Sequence, residues 1–139
     1  MEKKHLKKSA KKVLSAVLIV EDDRSLLKAL SDVFRREKFE VLTATNGKVG
    51  LRSALKNKPG LILLDLLMPV MDGVAMLKEL RKDEWGKNVY VIILTNKEPD
   101  SSLSNEAGMA PYMSTYMMKS DHNIKDIVKF AKSKILHQQ

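Results

Sequence analysis

The 139-residue sequence has no cysteine, only six Gly and four Pro, and no long apolar run. Without cysteine, disulfide scaffolds, thiolate zinc sites and cysteine nucleophiles are excluded, and the composition suits a reducing, cytoplasmic setting. Scarce Gly and Pro agree with the lack of low-complexity segments outside a Lys-rich N-terminus. A membrane span needs roughly 20 apolar residues. The apolar run 16–20 gives way at once to Glu21, Asp22 and Asp23, which also argues against a secretory signal. An acidic excess is missing too, since 25 Lys and Arg against 17 Asp and Glu leave a formal charge of +8. Such a balance ordinarily suggests nucleic acid. Here six Lys and one Glu fall in residues 1–12, so +5 of the +8 belongs to a basic N-terminal tail and the rest is nearly neutral. A nucleic-acid interface would need basic residues interleaved with aromatics, or a recognition helix, and only the tail offers anything similar.

What is present is 44% apolar and 30% charged, enough to bury the core of one domain, expected over residues 13–139. Apolar, β-branched runs at 13–20, 61–64 and 89–94 read as strands buried on both faces. Shorter strands are expected at 39–44 and 116–118. Helical stripes cover 25–38, 48–58, 74–81 and 124–135, with a weak short helix at 101–107. Five strands alternating with five helices predict one parallel sheet covered on both faces by right-handed crossovers.

In open sheets of this kind, ligands sit beyond the carboxyl ends of the strands. Four of the expected strands end in hydrophilic residues: Glu21-Asp22-Asp23, Asp65, Thr95 and Lys119. Taken singly, an Asp there often caps the next helix and a Lys extends to solvent. Taken together they converge on one rim. Clustered carboxylates repel unless a cation balances them, and an oxygen-only donor set suits Mg²⁺ better than zinc. A carboxylate beside Mg²⁺, a hydroxyl and an ammonium has the parts to accept a phosphoryl group.

The segments "VLIVEDD" (17–23), "LILLDLLMPVMDG" (61–73), "VIILTN" (91–96) and "TYMMKS" (115–120) resemble the receiver domains of two-component response regulators, over nearly all of residues 14–136. That resemblance implies a flavodoxin-like sheet of order 2-1-3-4-5. It implies Asp65 as phospho-acceptor, Thr95 as switch hydroxyl, Lys119 as essential lysine and Tyr116 as a switching aromatic. Mg²⁺ would be held by Asp22, Asp65 and the main-chain carbonyl of Leu67, with Glu21 acting mainly through water. The implied donor is a sensor histidine kinase or phosphotransfer protein, and the only implied catalysis is the domain's own phosphoryl transfer and dephosphorylation.

The chain departs from the family pattern at three places. Ser120 follows Lys119 where a cis Pro is usual, and a non-Pro cis bond costs about 3–4 kcal/mol, which favours trans. Asn96 stands where a small residue is usual. Gly108 comes early, and "MAPYMSTY" (109–116) is longer than the norm. A phosphatase of the haloacid dehalogenase type would need a second acid two residues after Asp65, where Leu67 stands. A degenerate receiver that serves only as a docking module would lack the acids or the lysine. Met109, Met113, Met117 and Met118 crowd the region of the fourth expected helix and fifth strand beside Tyr112 and Tyr116. Because Met adapts to partners, the output or self-association surface is expected on the fourth helix, fifth strand and last helix.

Overall fold

The apolar runs become strands for the reason their composition gives: each is flanked on both faces by helices, and every strand residue in them but the leading Ala16 and Tyr90 is buried. The computed structural model describes residues 15–96 and 114–138. Its elements are β1 (Ala16–Val20), α1 (Arg24–Arg36), β2 (Glu40–Ala44), α2 (Gly47–Asn57), β3 (Leu61–Leu64), α3 (Gly73–Leu80), β4 (Tyr90–Thr95), β5 (Thr115–Met118) and α4 (Ile124–Gln138). All four strand pairings are parallel and the order is β2-β1-β3-β4-β5.

Side chains alternate across the sheet and build two cores. Val17, Ile19, Leu61, Leu63, Ile92 and Leu94 pack beneath α1 and α4, against residues such as Leu30, Phe34, Ile127 and Ala131. Leu18, Val20, Ile62, Leu64, Val91 and Ile93 pack beneath α2 and α3, against Ala54, Met76, Leu77 and Leu80. Phe34, at the end of α1, meets Phe39 edge to face at 5.4 Å, which fixes how the chain enters β2.

Helix ends follow local chemistry. Asp23, Asn46 and Asp72 cap α1, α2 and α3, each side chain accepting hydrogen bonds from first-turn amides. Helix α1 ends with Lys38 at φ 72° and α2 with Lys58 at φ 45°, left-handed turns that break the helical ladder. Most observed bounds lie within one or two residues of the expected ones. The fourth expected helix, 101–107, and the first residues of the expected first strand lie outside the described residues. Four α-helices are therefore present among the described residues where five were expected in the chain. No helix among them is long and apolar enough to cross a membrane.

Candidate functional site

Parallel register carries Glu21 and Asp65 to the same level of the sheet. Val20 pairs with both Ala44 and Leu64, and the ladder runs one step further, with Glu21 N–H donating to Ala44 O at 3.0 Å and Asp65 N–H to Val20 O at 3.1 Å. Carboxylate oxygens of Glu21, Asp22 and Asp65 lie within 4.8 Å of one another. Glu21 and Asp65 are buried, whereas Asp22 is exposed and leaves the cluster open to solvent. Asp23 does not join them. Its Oδ1 accepts from the amides of Ser25 at 3.0 Å and Leu26 at 3.2 Å, so it serves the helix.

Lys119 reaches in from the end of β5. Its Nζ lies 2.9 Å from Glu21 Oε1 and 3.3 Å from Asp65 Oδ2. Three carboxylates against this ammonium leave an excess of two negative charges, and all the donors are oxygens. That set fits a hard divalent ion such as Mg²⁺, and the exposure of Asp22 leaves room for the waters such an ion retains. The direct pairing of Glu21 with Lys119 is something sequence reasoning missed, since it assigned Glu21 a role mainly through water. Strand-end residues can be read from a sequence, but which carboxylate a lysine reaches depends on distances across three strands.

Burial pushes the Glu21 carboxyl above its ordinary range, overcoming hydrogen bonds from Lys119 and the Asp23 amide, and Asp65 adds repulsion. Burial also acts to lower Lys119, but there its pairing with Glu21 and Asp65 prevails and the ammonium is held above its usual value. The two partners differ because Glu21 is the deeper, with its side chain 3% exposed against 18% for Lys119.

The loop after β3 is shaped by close backbone approaches. Gly73 N–H donates to Leu66 O at 3.0 Å, and a Cβ at Gly73 would sit 2.2 Å from the Asp65 carbonyl oxygen. A Cβ at Gly47 would sit 2.3 Å from Met71 O, which accepts the Gly47 N–H at 2.8 Å. These two glycines lock the 65–73 loop to the rest of the rim, because any Cβ at either position would collide with a backbone oxygen. Leu67 donates its N–H to Asp65 Oδ1 at 3.3 Å, and the residue is 57% exposed. Val70 in the same loop has φ 68° and is also exposed. Thr95, fully buried, ends β4. Tyr116 is half-buried and packs on the core beneath α2 and α3. Since Thr95 pairs with Met118 and Ile93 with Tyr116, Thr95 and Tyr116 share one face of adjacent strands. Among the described residues no peptide bond is cis, so Lys119-Ser120 is trans and opens a 3-10 turn, Lys119–Asp121.

A doubly wound parallel sheet with an acidic cluster and a lysine at its carboxyl edge defines the class of phosphoryl-accepting α/β signalling domains. The chain matches the response regulator receiver domain over residues 17–129 and belongs to that family. It is homologous to phosphorylatable response regulators and, as a receiver domain, is a signalling module rather than a conventional enzyme. It is 39% identical over 97 residues to the transcriptional regulatory protein PrrA of Mycobacterium bovis, covering 70% of this chain and 42% of that protein. It is 37% identical over 79 residues to sporulation initiation phosphotransferase F of Bacillus subtilis, covering 57% of this chain and 62% of that protein. The chain thus spans less than two thirds of each of these relatives. A CheY-like receiver domain protein from Methanospirillum hungatei superposes with a TM-score of 0.77 at 27% identity, covering 90% of this chain and 96% of that one.

Proposed function

We propose that Asp65 accepts a phosphoryl group from the phosphohistidine of a sensor histidine kinase or phosphotransfer protein. An oxygen of the Asp65 carboxylate bonds to phosphorus as the phosphorus–nitrogen bond breaks, and the imidazole leaves with that electron pair. Asp22, Asp65 and the main-chain carbonyl of Leu67 would hold Mg²⁺, with Glu21 acting mainly through water. When bound, Mg²⁺ offsets charge on the phosphoryl oxygens. Lys119 supplies the fixed positive charge on the Asp65 side, and its raised pKa keeps it protonated at neutral pH. Thr95 offers a hydroxyl to the new phosphoryl oxygens, and Tyr116 follows it inward as the switch. Residues 1–12 form a basic tail on a receiver domain spanning 13–139, which works in the cytoplasm. Its output passes to a protein partner or a second copy through the segment 101–107, β5 and α4.

The observation that carries this reading is the convergence of three carboxylates within 4.8 Å, with Lys119 Nζ bridging two of them. The test is incubation with acetyl phosphate and Mg²⁺ followed by mapping of the modified residue. A hydroxylamine-sensitive acyl phosphate is expected on Asp65 and none in Asp65→Asn. Modification elsewhere would overturn the assignment.

A further inference from the structure

On the far side of the sheet's first core, α1 and α4 do not close completely against each other. Between them lies a groove of about 330 Å³ whose apolar floor includes Val33 from α1 and Val128 from α4. Its walls carry four cations, Arg36 from α1 and Lys125, Lys129 and Lys132 from α4, against a single carboxylate, Glu37. The three lysines recur at helical spacing, so one stripe of α4 faces the groove along two turns. Glu37 is committed to Lys132 at 2.9 Å. The nearby acid of α1, Asp32, is committed to Lys28 at 2.9 Å and lies 3.9 Å from Arg35, neither of which lines the groove. Arg36, Lys125 and Lys129 are exposed and have no carboxylate facing them in the groove lining other than Glu37.

We propose that this groove is a docking site for an acidic amphipathic segment of a partner protein. Aliphatic side chains of such a segment would lie on half-buried Val33 and on the aliphatic stems of the flanking lysines, and its carboxylates would meet the guanidinium and ammonium groups. Charge complementarity selects this occupant over others. A second copy presenting the same face would bring three cations onto three, once Lys132 is offset by Glu37, and the chain's own residues 1–12 carry six Lys and one Glu. Single-stranded nucleic acid uses aromatic stacking platforms, and the groove lining has no aromatic side chain. A membrane surface calls for exposed large apolar residues, and among the described residues those are Val49, Leu55, Leu67 and Val70, none of which lines the groove. The proposal stands apart from phosphorylation of Asp65, because no lining residue belongs to the carboxylate cluster.

The test titrates the full chain with a synthetic amphipathic helical peptide of alternating Glu and Leu blocks at i, i+3 and i+4 spacing, alongside its Gln-for-Glu counterpart. Expected are amide shift changes confined to α1 and α4, affinity that falls with added salt, and at least tenfold weaker binding of the Gln peptide. The double reversal Arg36→Glu with Lys129→Glu should weaken the Glu peptide at least tenfold. The double reversal Lys48→Glu with Lys56→Glu, which changes net charge equally on the exposed face of α2, should change it less than twofold. Equal weakening by both doubles would reduce the effect to net charge and overturn the site. Shifts centred outside α1 and α4, an equally tight Gln peptide, or tighter binding of a single-stranded oligonucleotide or of phosphatidylglycerol vesicles to the same face would overturn it as well.

Discussion

Around Asp65, neighbouring acids of one type do different work because their surroundings differ. Asp22 is exposed and offers an oxygen to the cluster, Glu21 is buried and tied to Lys119, and Asp23 caps α1. Removing Asp22 deletes a direct oxygen ligand, so Asp22→Ala should weaken Mg²⁺ binding by one to two orders of magnitude. Glu21→Ala should cost less, since it removes a charge that Lys119 already compensates. Isothermal titration with Mg²⁺ ranks the two, and an unchanged Asp22→Ala would contradict the ligand set. Leu67 bears on the lifetime of the phosphorylated state. Hydrolysis needs a water held in line with phosphorus, and the exposed Leu67 side chain has no atom with which to hydrogen-bond it. Leu67→Asn should therefore speed loss of the acyl phosphate, measured as single-exponential decay of the phosphorylated form. Decay at an equal or slower rate would remove water positioning as the reason.

The elements around the rim are held by backbone contacts as much as by side chains. Asp72 caps α3 by accepting from Ala75 N–H at 2.9 Å, and the next residue, Gly73, touches the backbone of Asp65 and Leu66. A methyl group at Gly73 meets main-chain atoms, which cannot swing aside as a long side chain can. Gly73→Ala should thus displace the loop from α3 and lower the unfolding free energy by about 1–3 kcal/mol, the usual range for overpacking. Chemical denaturation gives the stability change, and Mg²⁺ titration of the same variant should reveal weakened binding. If both remained at the wild-type level, the close approach would not be holding Asp65 in place.

For the whole molecule the question is how an event at Asp65 reaches a distant surface. Strand β4 ends in buried Thr95, and its neighbour β5 carries Tyr116 on the same sheet face, so the two side chains are diagonal neighbours. A phosphoryl group that engages Thr95 changes the space available to Tyr116, which is already packed on the core beneath α2 and α3. Amide exchange with and without beryllofluoride and Mg²⁺ should therefore show altered protection in β5, at the start of α4 and in the sequence segment 101–107. Changes restricted to α2 and α3 would place the output face elsewhere. Met117 is buried and Met118 half-buried, so core packing accounts for part of the methionine cluster near β5, and Met109 and Met113 lie outside the described residues.

The alternation of strands and helices is legible in the order of residues, because the apolar periods of two and 3.6 are local properties of a chain that must bury one face or both. The sequence also determined which acids, hydroxyl and lysine stand at strand ends, and through its motifs the family and the strand order. Tertiary structure decided what those residues do to one another. By residue type Asp22 and Asp23 are alike and only the family resemblance singled out Asp22; it is the turn into α1 that gives one to the cluster and the other to the helix. Lys119 and Glu21 are far apart in the chain and meet only because β5 lies parallel to β1 in the same sheet and runs past it, with Val20 level with Leu64, Ile93 and Tyr116. The cationic groove likewise draws Arg36 and Lys129 from opposite ends of the sequence. Electrostatic interaction depends on distance through space, and that distance exists only once the sheet's register and the packing of α1 against α4 are set.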